Sequence, residues 1–140
     1  RFFAVSQAVV DPGDPLNYSR FCALDELPGT TGAKPRDILL QVVLNDTIVP
    51  NSSSEALARA MGATHVNPLR PVSGLPEKTG PLSANGATGS TLVMSQFDKI
   101  NGGKKAVHGE LIFAPEGQAQ YVEFFKSGLA SPHATVKPAY

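Results

Sequence analysis

Fifteen residues set the frame for this chain: Asp37-Ile-Leu-Leu-Gln-Val-Val-Leu-Asn-Asp-Thr-Ile-Val-Pro-Asn51. From Ile38 to Leu44 only Gln41 is polar, and a short run so rich in Val, Ile and Leu reads as a strand covered on both faces, as strands of parallel sheets are. Asn45 and Asp46 end it abruptly. In open parallel α/β sheets, ligands and chemistry gather outside the carboxyl ends of the strands, which makes Asp46 the candidate acid. The same Asn-Asp pair also suits a plain turn in any protein.

Beyond the acid, the chain has the layout of a strand–turn–helix unit. Ser52-Ser-Ser-Glu55 has the Ser-x-x-Glu spacing of a capping box, and Glu55-Ala-Leu-Ala-Arg-Ala-Met61 is a run of helix formers that Gly62 should stop. Residues 63–90 hold four prolines (68, 71, 76, 81) and four glycines (74, 80, 86, 89), the composition of a long loop excursion: a surface loop or an active-site lid. Thr91-Leu-Val-Met-Ser-Gln-Phe97 is the second predicted strand, left by a loop over Asp98–Lys105. His108 comes next. Pro115 and Glu116 then open a helix over Gln118–Lys126, with Ala119, Val122 and Phe125 as its apolar stripe, Tyr121 and Phe124 broadening it and Gly128 stopping it. Residues 131–140 read as a trailing end.

Upstream of the frame, Phe2, Phe3, Val5, Val9 and Val10 suit the end of a helix halted by Asp11-Pro-Gly-Asp-Pro15. The chain starts at Arg1 already in this pattern and without methionine, as expected of a piece continuing a longer polypeptide. Leu16–Leu24 carries no decisive pattern, and Pro28–Pro35 is a loop by composition.

Composition narrows the function. Twelve Lys and Arg balance twelve Asp and Glu, and the basic residues are scattered singly rather than clustered, which argues against nucleic acid as a partner. No apolar run approaches the roughly 20 residues that a transmembrane helix needs. Cys22 is the single cysteine, so the chain has no internal disulfide, and a small buried hydrophobe is the expected role for it. His65, His108 and His133 stand at no recognisable metal spacing, and neither a metal nor a cofactor is expected. His65 and His133 are expected to be structural or exposed, Asp98 to be a turn residue. Asn17, Asn45 and Asn51 match the glycosylation acceptor pattern, read here as chance.

The order strand, Asp46, helix, excursion, strand, His108, helix resembles the C-terminal part of an α/β-hydrolase, where the acid follows one late strand and the histidine the next. Leu44-Asn-Asp-Thr-Ile-Val-Pro50 looks like that family's acid turn, and His108-Gly-Glu-Leu-Ile-Phe113 like its histidine loop. Asp11-Pro-Gly-Asp-Pro-Leu-Asn-Tyr18 and 108–125 are similar to bacterial lipase-like or esterase-like members. The resemblance implies an α/β fold of which residues 1–140 are the C-terminal portion, and a Ser-His-Asp triad with Asp46 as acid and His108 as base. It further implies an ester or lipid substrate, export from the cytoplasm, and either a missing N-terminal part or a second chain of the same hydrolase. The sequence contains no Gly-x-Ser-x-Gly elbow and no assignable oxyanion segment, so the nucleophile is expected elsewhere. Two other classes fit the same residues: a non-catalytic binding or structural module on a hydrolase-like scaffold, and a small α/β domain that self-associates to cover its sheet.

Overall fold

The computed structural model describes residues 11–26, 29, 31–32 and 36–140. The helix end expected over Phe2–Val10, and most of the loop expected over Pro28–Pro35, lie outside the described residues. A single 3-10 turn, Asp11–Gly13, leads into helix α1, Pro15–Ala23. Asp14 caps it, accepting the Leu16 N–H at 2.9 Å, with Pro15 in the first turn. The Asp-Pro pair read as a stop is therefore also a start. Cys22 lies exposed on α1 rather than in the core.

Four parallel strands make the sheet: β1 Ile38–Val43, β2 Thr64–Val66, β3 Glu77–Lys78 and β5 Leu92–Phe97, in the spatial order β1-β5-β2-β3. The chain is thus mixed α/β with a parallel sheet. β1 and β5 run in register from Ile38 opposite Leu92 to Val43 opposite Phe97. β5 is buried at every position, whereas β1, at the end of the sheet, is only half-buried from Ile38 to Gln41. Helix α2, Asn51–Ala60, connects β1 to β2. Helix α3, Pro115–Ala130, follows a 3-10 turn at Leu111–Phe113. Two short pairs complete the fold: β4 Leu82–Ser83 with β8 Thr135–Val136, and β6 Lys99–Ile100 with β7 Lys104–Lys105.

Alternation along β1 divides its side chains between the two faces. Leu40 and Val42 join Ala23, Ala58, Met61 and Met94 under α1 and α2. Leu39 joins Val93, Phe124 and Val136 under α3. A third cluster, with Val43, Phe97, Ile100, Ala106 and Leu111, closes the carboxyl ends of β1 and β5.

Several sequence expectations are corrected. Residues 63–90 are not structureless, because β2, β3 and β4 fall within them. Strands of two or three residues show no readable period, and side-chain hydrogen bonds add to the main-chain ladder that holds them. Asn85 bonds Thr64 Oγ1 at 2.9 Å and the Leu92 carbonyl at 2.8 Å, and Asn67 Oδ1 accepts the Gly80 N–H at 2.8 Å. The loop after β5 holds the β6–β7 hairpin. No capping box forms at Ser52 and Glu55: the N-cap is Pro50, two residues earlier, and α2 starts at Asn51 without a side-chain cap. Its stop at Gly62 holds, in the left-handed conformation at φ +69°.

Helix α3 runs through Gly128 to Ala130, where Gly128 lets the chain at Ala134 approach closely. Its buried positions are Gly117, Gln120 and Phe124, while Ala119, Val122 and Phe125 face outward. The reason is polar. Gln41 Nε2 donates to the Gly117 carbonyl and to Gln120 Oε1, both at 3.0 Å, and Gln120 Nε2 donates to Ser95 Oγ at 2.9 Å. These bonds, together with Phe124 packed against Leu39, Val93 and Val136, seat α3 on the sheet.

His65, in β2, is fully buried, and neither ring nitrogen has a hydrogen-bond partner among the described residues. Burial, outweighing the nearby charge of Glu77, holds its pKa below the ordinary histidine value. The unfolded chain therefore binds the proton more tightly. Stability contributed by the neutral ring is present above about pH 6.5 and is lost as pH falls below it. Urea denaturation of wild type and His65→Leu between pH 7.5 and 5 tests this: wild type should lose up to about 1.4 kcal/mol per pH unit more than the variant. Equal slopes would show that His65 does not couple folding to protonation.

Candidate active site

Asp46 is carried by the turn that leaves β1. Asn45 takes a left-handed backbone, φ 56°, which asparagine tolerates better than most residues. Asn51, the first residue of α2, holds this turn from below, where its Nδ2 donates to the Val43 carbonyl at 2.6 Å and its Oδ1 accepts the Asn45 N–H at 2.8 Å. Instead of capping α2, this side chain ties the helix to the strand end. Both Asn45 and Asn51 are thus structural parts of the acid turn.

The Asp46 carboxylate divides its work. Oδ1 accepts the N–H groups of Ile48 at 2.8 Å and Val49 at 3.1 Å, an Asx-type turn. Oδ2 lies 2.6 Å from His108 Nδ1. The acid side chain is 7% exposed and the imidazole 42%. Burial alone would raise the Asp46 pKa, but the His108 hydrogen bond, the two backbone amides and the imidazole's charge outweigh it and hold the carboxyl below its ordinary value.

His108 reaches this position from the neighbouring strand. β5 pairs with β1 along its length, so the chain leaving Phe97 emerges beside the chain leaving Val43. After the β6–β7 hairpin, the Ala106 N–H bonds the Asp98 carbonyl at 2.8 Å. Buried Ala106 and Leu111 anchor the loop on either side of His108. His108 Nε2 has no hydrogen-bond partner among the described residues, and no serine, threonine or cysteine side chain among them bonds the ring. The ring opens onto a groove of about 470 Å³ shared with Gln41, Ile112, Tyr121 and Phe125. A smaller recess of about 130 Å³ joins Asp46, His108, Val49 and Ser54.

The two residues singled out in the sequence, 62 positions apart, are therefore brought into one hydrogen bond. The other candidates lie elsewhere. Asp98 Oδ1 accepts the Tyr140 hydroxyl at 3.2 Å, a structural role near the chain's last residues. His133 Nδ1 is 3.5 Å from Asp37 Oδ1, at the opposite end of β1. Asp37 itself accepts the Thr91 N–H at 2.7 Å and the Ala134 N–H at 2.5 Å, joining the starts of β1, β5 and β8. Sequence reasoning missed Asn51, although an amide residue directly after the acid turn is a readable signal for bracing it.

Among the described residues, no helix is long and apolar enough to cross a membrane. Comparison with protein-family models, curated proteins and solved structures found no match. Geometry and chemistry therefore carry the functional reading.

The Asn51 bridge makes a local prediction. Asn51→Ala should lower folding stability by about 1 kcal/mol, because the part-buried Val43 carbonyl loses its donor. It should also speed amide exchange at residues 45–49. Hydrogen exchange by mass spectrometry checks this, and an unchanged acid turn would show that the bridge does not hold Asp46.

Proposed function

We propose that this chain supplies the acid and base of a serine hydrolase that cleaves carboxylic esters, on an α/β-hydrolase fold. One observation carries the reading: a 2.6 Å hydrogen bond between a largely buried carboxylate and the Nδ1 of a half-exposed imidazole, at the carboxyl ends of two adjacent parallel strands. Structural His–Asp pairs are common in proteins. Here the second ring nitrogen is unpartnered among the described residues and the ring lines an open groove, which suits a general base.

The chemistry comes from the roles of the two ring nitrogens. With the Nδ1 proton held by Asp46, Nε2 carries the lone pair. It takes the proton of a serine hydroxyl as that oxygen attacks the ester carbonyl. The tetrahedral intermediate collapses as Nε2–H protonates the departing alkoxide, leaving an acyl-serine. Water then repeats both steps: His108 removes its proton, the acyl group leaves as the carboxylic acid, and the serine recovers its hydrogen. Asp46 stabilises the imidazolium formed in each half-reaction. In a serine protease, losing this carboxylate function costs about 10⁴ in kcat. The serine is contributed by a segment outside the described residues. The apolar residues Ile48, Val49, Val107, Ile112 and Phe113, exposed on the two loops that carry the dyad, suit an ester with an apolar acyl group.

The test is His108→Ala in the natural protein, assayed on p-nitrophenyl esters of graded chain length. Turnover should fall at least about 10³-fold with thermal stability little changed. In the unmutated protein, a fluorophosphonate should label one serine. Unaltered turnover in a folded variant would end the assignment.

A further inference from the structure

The β6–β7 hairpin, which carries the chain from β5 to His108, is poorly made for standing alone. Its strands are two residues each, and even a longer two-stranded hairpin is marginal in water. Lys99 lies directly opposite Lys105, with Lys104 beside them opposite Ile100, and like charges facing each other across a ladder weaken it. The turn itself is sound. Asn101 and Gly102 both take positive φ, 52° and 75°, as two-residue hairpin turns favour, and the Gly103 N–H bonds the Ile100 carbonyl at 3.1 Å. What fixes such a hairpin in one place must come from outside it.

Two side chains grip it. At the base, the Tyr140 hydroxyl accepts the Lys99 N–H at 3.0 Å and lies 2.6 Å from the Lys99 carbonyl. At the tip, Glu116, in the first turn of α3, holds the turn with both carboxylate oxygens: Oε2 accepts the Asn101 N–H at 3.0 Å and Oε1 the Gly102 N–H at 3.1 Å. Successive amides turned to one side make a concavity that suits an anion. The Gly102 amide foremost, then those of Glu116 itself and Asn101, outweigh burial and hold the carboxyl below its ordinary value. Glutamine could offer only one of the two acceptors and no charge to set against the three lysines.

The grip closes a loop around the base. Gly102 and Glu116 are 14 positions apart, and His108 lies between them. Ala106, Leu111 and Ala114 are buried, but Val107 to Glu110 are exposed, so the ring is carried by the outer part of this loop. Asp46 is fixed separately, by the amides of Ile48 and Val49. Any swing of the hairpin about its base therefore moves the imidazole relative to a carboxylate that does not follow. We infer that Glu116 is a positioning residue for His108: its carboxylate locks the hairpin tip to α3 and thereby holds the ring at its bonding distance from Asp46.

Glu116→Gln and Glu116→Ala in the natural protein test this, beside Glu123→Gln, which removes the same charge from the same helix at its ion pair with Lys137. On a p-nitrophenyl ester, kcat should fall about tenfold in Glu116→Gln and up to about 100-fold in Glu116→Ala, with KM little changed, while Glu123→Gln matches wild type. Proton NMR reads the ring without turnover. The His108 Nδ1 proton, identified by its loss in His108→Ala, should broaden or move upfield in both Glu116 variants. A signal indifferent to both substitutions would overturn the inference, whatever the turnover. So would wild-type kcat in both variants of a protein that His108→Ala inactivates. Loss of amide protection along β5 in Glu116→Gln would overturn it as well, because Glu116 would then support the fold at large. Only the kinetic part rests on the hydrolase reading: full turnover in His108→Ala sinks that reading and leaves the NMR test of Glu116 standing.

Discussion

The site depends first on the parallel pairing of β1 with β5. Because the two strands run in the same direction and in register, they end together at Val43 and Phe97. Neighbouring strands lie about 4.8 Å apart, so loops leaving adjacent carboxyl ends begin within side-chain reach of each other. An antiparallel pair would have sent the two loops to opposite ends of the sheet. The ladder extends one bond past β1, from the Leu44 N–H to the Phe97 carbonyl, and holds the Asp46 turn against the strand that leads to His108. Beneath both lies the cluster of Val43, Phe97, Ile100, Ala106 and Leu111, which fixes the spacing of the loops by packing.

A second constraint is polar and lies below the site. Gln41 faces α3 in the middle of an otherwise apolar strand, where an unpaired amide would cost about 1–3 kcal/mol. It finds the Gly117 carbonyl and Gln120, and Gln120 in turn bonds Ser95 and the Lys137 carbonyl. These partners sit at specific points of α3 and so determine which face of the helix turns inward. Gly117 allows that seat: a side chain there would collide with the carbonyl of Leu111. The 3-10 turn carrying Leu111 comes directly after the His108 loop, so the amide network and that loop share one support.

These two constraints also decide how much was legible in the sequence. β1 and β5 were readable because each is a continuous apolar run, and α2 because its helix formers end at a glycine. Asp46 and His108 were readable from their positions after those strands. The inward face of α3 was not, because it is chosen by Gln120, a residue that an apolar pattern assigns to solvent. β2 and β3 were hidden among prolines and glycines, being too short to show an alternation and held by Asn67 and Asn85 rather than by hydrophobic periodicity. The polar residues thus resisted sequence reading most, since an amide's value depends on a partner distant in the chain.

The plain and the catalytic readings of Asp46 turn out to use different atoms. Oδ1 makes the turn with Ile48 and Val49, and Oδ2 meets His108. A carboxylate pinned at one oxygen by two amides cannot rotate freely, so the other oxygen is presented in a fixed direction, and the imidazole is oriented with little entropy left to lose. The turn that makes Asn-Asp so common in proteins is therefore what gives this acid its aim. Fixing Nδ1 fixes the direction of Nε2 as well, in a ring that lines the groove beside Gln41.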